Sequence, residues 1–180
     1  MSRSYYIVLR ESIFSFHRHN NDSVFGEQTL ESKLEYFTST SRLTAQRKDL
    51  FRGHFNWYVT EYYNSNFVNF QCQYNVRFHL LHPSLSDLEL TGQICRMDIN
   101  PQSGYTIWQF SNSDAERWEQ DIQMPIIQQE MARTLNTVPQ NVEVGIIRFP
   151  DRYMSRKKYT SAEIQAAENQ IVSLLNQFSS

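Results

Sequence analysis

The rhythm of hydrophobic and polar positions changes along the chain, and the predicted elements follow from those changes. In NFVNFQCQYNVRFHLL, Val68, Phe70, Cys72, Tyr74, Val76, Phe78 and Leu80 alternate with Asn69, Gln71, Gln73, Asn75, Arg77 and His79. Period-two alternation of this length predicts an antiparallel strand with one buried and one wet face. HFNWYVTEYY, just before it, places Phe55, Trp57 and Val59 in the same rhythm. Asn64, Ser65 and Asn66 supply turn residues between the two, so a hairpin is predicted. DLELTGQICRMDI is a third strand whose phase slips near Gly92, which suggests a bulge at that glycine. NPQSG (100–104) is a turn, and YTIWQF returns as a fourth strand. SYYIVLR (4–10) is a further short strand candidate, while the stretch from Glu27 to about Leu43 suits either period, with Leu30, Leu34 and Phe37 at helical spacing.

Beyond Phe110 the period lengthens. Ser113 with Glu116 forms a capping box that opens a helix over 113–136, and Pro125 inside it predicts a kink or a break and restart. VEVGIIRF (142–149) is another apolar strand. A second capping box, Thr160 with Glu163, opens a helix over 161–178 whose stripe of Ile164, Ala167, Ile171, Leu174, Leu175 and Phe178 suits packing on a sheet. The expected fold is α+β. A curved antiparallel sheet of four or more strands, a meander over residues 51–110, carries the helices 113–136 and 161–178 on one face, in a single domain spanning 1–180.

Composition narrows the function. A formal charge of −2 argues against a general nucleic-acid coat, and the aromatic content of 14% suits a sheet-rich core or an adhesive face. Cys72 and Cys95 have neither disulfide-scaffold nor zinc spacing and are expected to be reduced and buried. No apolar run approaches the roughly 18 residues of a membrane span, so a soluble cytoplasmic protein with no membrane contact is expected.

Reactive chemistry is sparse. The five glycines are too far apart to cradle a phosphate, and no serine sits in a nucleophile elbow. Glu31, Ser32 and Lys33 match the ExK pattern of metal nucleases only within an uncertain helical stretch. In SFHRHNND, His17 and His19 would share one face of a strand and could meet a metal with Asp22, or with His79 and His82. Arg18 between them would repel a divalent ion, and the Asn and Asp run suits a loop. They are read as solvated loop histidines, with no metal and no cofactor expected. Glu61, set among aromatics, is read as a partly buried, hydrogen-bonded structural carboxylate or one at a strand's frayed end.

Two surfaces remain as functional candidates. Asn69, Gln71, Gln73, Asn75, Arg77 and His79, beside the tyrosines Tyr58 and Tyr62, would form an amide-rich and aromatic sheet face suited to protein contact. The leading expectation is therefore a non-enzymatic interaction or assembly protein, a structural subunit or adaptor, whose partner is another protein or a second copy. The first alternative is a small-molecule-binding protein or small enzyme with a pocket between sheet and helices, using Glu61, Tyr74, Arg77 and His79. The second alternative is a nucleic-acid or polyanion binder through the basic stretch Arg148, Arg152, Tyr153, Arg156, Lys157 and Lys158, which leads into a helix N-terminus. Catalysis is the lesser expectation, and no catalytic residues are assigned.

Overall fold

A computed structural model describes residues 3–39, 44–79, 89–102, 104–111 and 117–178, with the side chains of all of these except 3–5, 78–79, 89–90 and 178. The Ser113–Glu116 capping box and His82 lie outside the described residues. Three helices come first: α1 (Arg3–Arg18), α2 (Ser23–Ser39) and α3 (Ala45–Asn64). The strands β1 (Val68–His79), β2 (Glu89–Asn100) and β3 (Gly104–Ser111) follow, then α4 (Gln123–Thr134), β4 (Val142–Arg148), β5 (Tyr153–Lys157) and α5 (Ser161–Phe178). The α+β class holds.

Two predicted strands are helices. SYYIVLR belongs to α1, where Val8, Leu9, Ser12, Ile13, Phe16 and His17 recur at helical spacing and are buried. HFNWYVTEYY belongs to α3, so the expected meander does not begin at residue 51. Phe55, Trp57 and Val59 do alternate, but the longer stripe of Phe51, Phe55, Tyr58, Val59 and Tyr62 has a helical period and is the buried one. Such a stripe is longer than most strands, and length decides between the two readings. Thr44 caps this helix by accepting the Arg47 N–H. In α2, Leu30 and Leu34 are buried at helical spacing.

The sheet is mixed, in the order β1-β2-β3-β4-β5, and every neighbouring pair is antiparallel except the parallel pair β3–β4. A parallel pair needs a crossover, and α4 lies in it. Pro125 stands in the first turn of α4, where its missing N–H costs nothing, and a short 3-10 turn over Trp118–Gln120 precedes it. Helix α5 starts as its capping box predicts: Glu163 accepts the Thr160 N–H at 2.7 Å, and Thr160 accepts the Glu163 N–H at 3.3 Å. Gly104 has φ 92, and a Cβ there would overlap the Asn141 carbonyl oxygen, so the β2–β3 turn requires glycine.

Alternation along β4 divides the interior into two cores. Ile147, with Phe149 just beyond the strand, packs with Trp108, Phe110 and the α1–α3 residues Phe14, Phe55 and Tyr58. Val142, Val144 and Ile146 pack instead with Ile107, Met131 of α4 and Ile164 of α5. The N-terminal helices thus add a core that the sequence reading did not include.

The slip of phase in β2 has a different cause from the one predicted. Gly92 pairs regularly with Val76, whereas the register shifts between Asn69 and Gln71 and leaves Phe70 as the extra residue. Further along β1, Gln73 takes a left-handed φ of 55. Across from it, the sequence neighbours Cys95 and Arg96 both face the α1–α3 layer, so alternation fails there.

Candidate functional site: a cleft where the sheet splits

Strand β2 pairs with β1 as far as Glu89, and β3 pairs with β4 as far as Ser111. Yet among the described residues β2 and β3 pair with each other only from Arg96/Trp108 to Asn100/Gly104. Beyond Arg96 the two strands run on without a shared ladder. In the gap the Cys95 thiol donates to Gln109 Oε1 at 3.6 Å, a side-chain contact where no ladder bond joins the strands. Residues Thr91–Ile94 on one side and Gln109–Ser111 on the other line a cleft of about 620 Å³, closed by Trp118, the start of α4 and the end of α5. That volume lies within the roughly 300–1,000 Å³ of small-molecule sites. Its floor is apolar, with Val76, Ile94, Ile126, Ile127 and Ile146. Its polar groups are amides and hydroxyls, Gln93, Gln109, Gln123, Thr91 and Ser111, together with Asp121.

Among the described residues the lining holds no His, Lys or Cys, and its potentially reactive groups are the Asp121 carboxylate and the Thr91 and Ser111 hydroxyls. Cys95 lies on the opposite face, and burial pushes its thiol up to about 11, so it is no thiolate near neutrality. Among the described residues, no three His, Cys, Asp or Glu side chains gather in a group that would hold a metal ion.

The other polar cluster is buried and fully enclosed. Arg96 and Asp98 are both inaccessible, with Arg96 Nη2 2.7 Å from Asp98 Oδ2 in an ionic contact outside hydrogen-bond alignment. Trp108 Nε1 donates to the same oxygen at 2.8 Å, and Arg96 Nη1 donates to the Tyr58 hydroxyl at 2.6 Å. The guanidinium carbon lies 5.1–5.4 Å from the ring centres of Trp108, Tyr62 and Tyr58, a cation–π cage. Burial penalises this cation, but Tyr58 and Asp98 outweigh the penalty and raise its pKa. Every member is buried, so no substrate reaches the group. It fastens α3 to β2.

His17 completes that network and corrects the reading of SFHRHNND. The side chain is on α1 and only 6% exposed, not solvated in a loop. The turn itself comes later, at Asn20 and Asn21, both at positive φ. Asn21 Oδ1 can only accept, so His17 Nδ1 donates to it at 2.7 Å, leaving Nε2 to accept from the Tyr58 hydroxyl at 2.5 Å. Burial, reinforced by Arg96, lowers the His17 pKa to about 3. The unfolded chain takes up this proton below about pH 6.5 and the folded chain only near 3, so acid selectively stabilises the unfolded state. Stability is therefore expected to be lost between those values, by about 2 kcal/mol at pH 4.5 relative to pH 7. Urea unfolding at the two pH values checks this, and H17Q is expected to reduce the difference.

The sequence-predicted residues do not assemble into one face. Tyr58 and Tyr62 belong to the core, not the surface. The bulge and Gln73 split the amide row. Asn69 turns toward Asp98 and the Met97 carbonyl, Gln71 sits opposite Met97 and Gln73 accepts from Arg18. Asn75 accepts from Gln93 at 3.1 Å, and Arg77 is exposed opposite Thr91. His79 pairs with Glu89 in register, while its side chain is outside the described ones. Glu61 is exposed on α3, a correction to its reading as partly buried.

The basic stretch is strand β5 and its approaches rather than a loop, and three of its cations hold carboxylates. Arg148 pairs with Asp151 at 2.6 Å and lies over the Tyr153 ring, Arg156 pairs with Glu143 at 3.3 Å, and Lys157 pairs with Glu163 at 2.9 Å. Arg152 lies over Gly53 of α3, and Lys158 is exposed. These pairs leave less charge for a polyanion than the sequence suggests.

No known protein family matches the chain, and no curated protein resembles it significantly. No helix among the described residues is long and apolar enough to cross a membrane.

Proposed function

We propose that the protein is a non-enzymatic binding protein whose cleft between β2, β3 and the α4–α5 layer takes a small apolar molecule. The observation that carries this reading is the unpaired stretch of β2 against β3, which opens about 620 Å³ over an isoleucine-rich floor whose described lining holds no His, Lys or Cys. Apolar floors with a few polar groups at the rim favour binding by burial and orientation by hydrogen bonds. Nile red, a neutral dye that brightens in apolar surroundings, is expected to bind saturably at one site per chain. Fluorescence that rises linearly without saturation would contradict the reading.

A second reading, assembly through the sheet edge, has its own support. Val68, Phe70 and Ile99 are 58%, 52% and 39% exposed. They adjoin through the pairs Val68/Ile99 and Ile99/Tyr105 and the Phe70–Tyr105 ring contact at 6.4 Å. In this reading a second copy covers the patch, and sedimentation velocity would show a dimer that F70K dissociates.

A further inference from the structure

Charge sorts what the cleft accepts. Of the described residues lining it, Asp121 alone carries a formal charge, and the rest of its polar surface is amide and hydroxyl. The start of α4 also faces the cleft, and a helix N-terminus would ordinarily attract an anion. Here that role is already filled from within the chain: Gln123 N–H donates to Asp121 Oδ1 at 3.0 Å, and Met124 N–H donates to the Asp121 carbonyl at 3.0 Å. A carboxylate or phosphate entering the cleft would meet an occupied helix end, a fixed negative charge and no compensating cation. The cost of placing like charges together rises as the surroundings become less polar.

The neutral groups point the other way. Gln93 Nε2 is engaged with Asn75 Oδ1 at 3.1 Å, and Gln109 Oε1 faces the Cys95 sulfur at 3.6 Å. These contacts leave acceptor capacity on Gln93 and donor capacity on Gln109, since each primary amide offers two N–H groups and one carbonyl. The geometry points to a ligand without negative charge, with an apolar body and one hydroxyl, carbonyl, amide or ammonium end, and to Asp121 as the group that excludes anions. This inference rests on the binding reading above and narrows it to a ligand class.

A matched series tests it: n-decanol, decanoate and n-decylamine, each measured by displacement of Nile red at pH 7.5 and below its aggregation threshold. n-Decanol and n-decylamine are expected to displace the dye, and decanoate to require at least about ten times the concentration of n-decanol. D121N, which keeps a capping side chain while removing the charge, is expected to bring decanoate about tenfold closer to n-decanol. If Nile red binds and decanoate competes as well as n-decanol, the exclusion of anions is overturned while the binding reading stands. If D121N leaves the ratio unchanged, the role given to Asp121 is overturned. If neither the dye nor any of the three ligands binds, the binding reading itself fails.

Discussion

D98A is expected to lower stability by about 3–5 kcal/mol, a large share of the roughly 5–15 kcal/mol that holds an ordinary domain. The reason lies in what remains after the substitution. Arg96 would stay in the interior, fully enclosed, with the Tyr58 hydroxyl as its neutral partner and aromatic rings on its faces. The Trp108 indole N–H would lose its acceptor as well. An uncompensated buried cation costs far more than the pair itself contributes. The double variant R96M/D98L removes the charge together with its partner and is expected to cost clearly less, although Trp108 still loses its bond. Urea unfolding at pH 7 measures all three proteins. A D98A loss under about 1 kcal/mol would mean that the ion pair does not fasten α3 to the sheet.

G92F is expected to empty the cleft without unfolding the protein. Gly92 sits in β2 at the wall of the cleft, and a Cβ there would meet only Val76 Cγ2, at an ordinary 3.7 Å. The neighbouring Val76 belongs to the cleft-side core, so a larger side chain at 92 projects over the same floor. A phenyl ring there occupies space that a ligand needs. Nile red affinity is expected to fall by about a hundredfold or more, equivalent to roughly 2.7 kcal/mol. Thermal unfolding is expected to shift by no more than about 4 °C. Retained dye binding would place the site elsewhere.

How much of this was legible depends on how many residues each signal involved. The strands β1, β2 and β3 and the helix α5 could be read because alternation or a capping box repeats over many positions. In α3, aromatic and β-branched residues satisfied both periods at once. Phe55, Trp57 and Val59 suggested a strand, and only the longer stripe from Phe51 to Tyr62 reveals the helix. The same holds for α1, whose period becomes clear only when Phe16 and His17 are counted with Val8 and Leu9. The parallel β3–β4 pair leaves no local trace, because β4 is apolar in either direction.

The cleft left a trace that pointed to the wrong position. A change of phase was visible in β2, but alternation alone cannot distinguish a bulge at Gly92 from a break opposite Gln73, which depends on the partner strand. The Arg96–Asp98 pair was likewise hidden. On paper the two residues are two apart on a strand, and nothing local shows that Tyr58 and His17 from different helices close over them. Tyr58 and Tyr62 looked like surface tyrosines for the same reason.

The most direct test of the binding account is a native mass spectrum of the protein purified gently from its own host, wild type beside G92F. The wild type is expected to carry one organic molecule without negative charge per chain, of a size that fits about 620 Å³, and G92F is expected to be bare. If both proteins fly bare, or both carry the same extra mass, the cleft is not the ligand site.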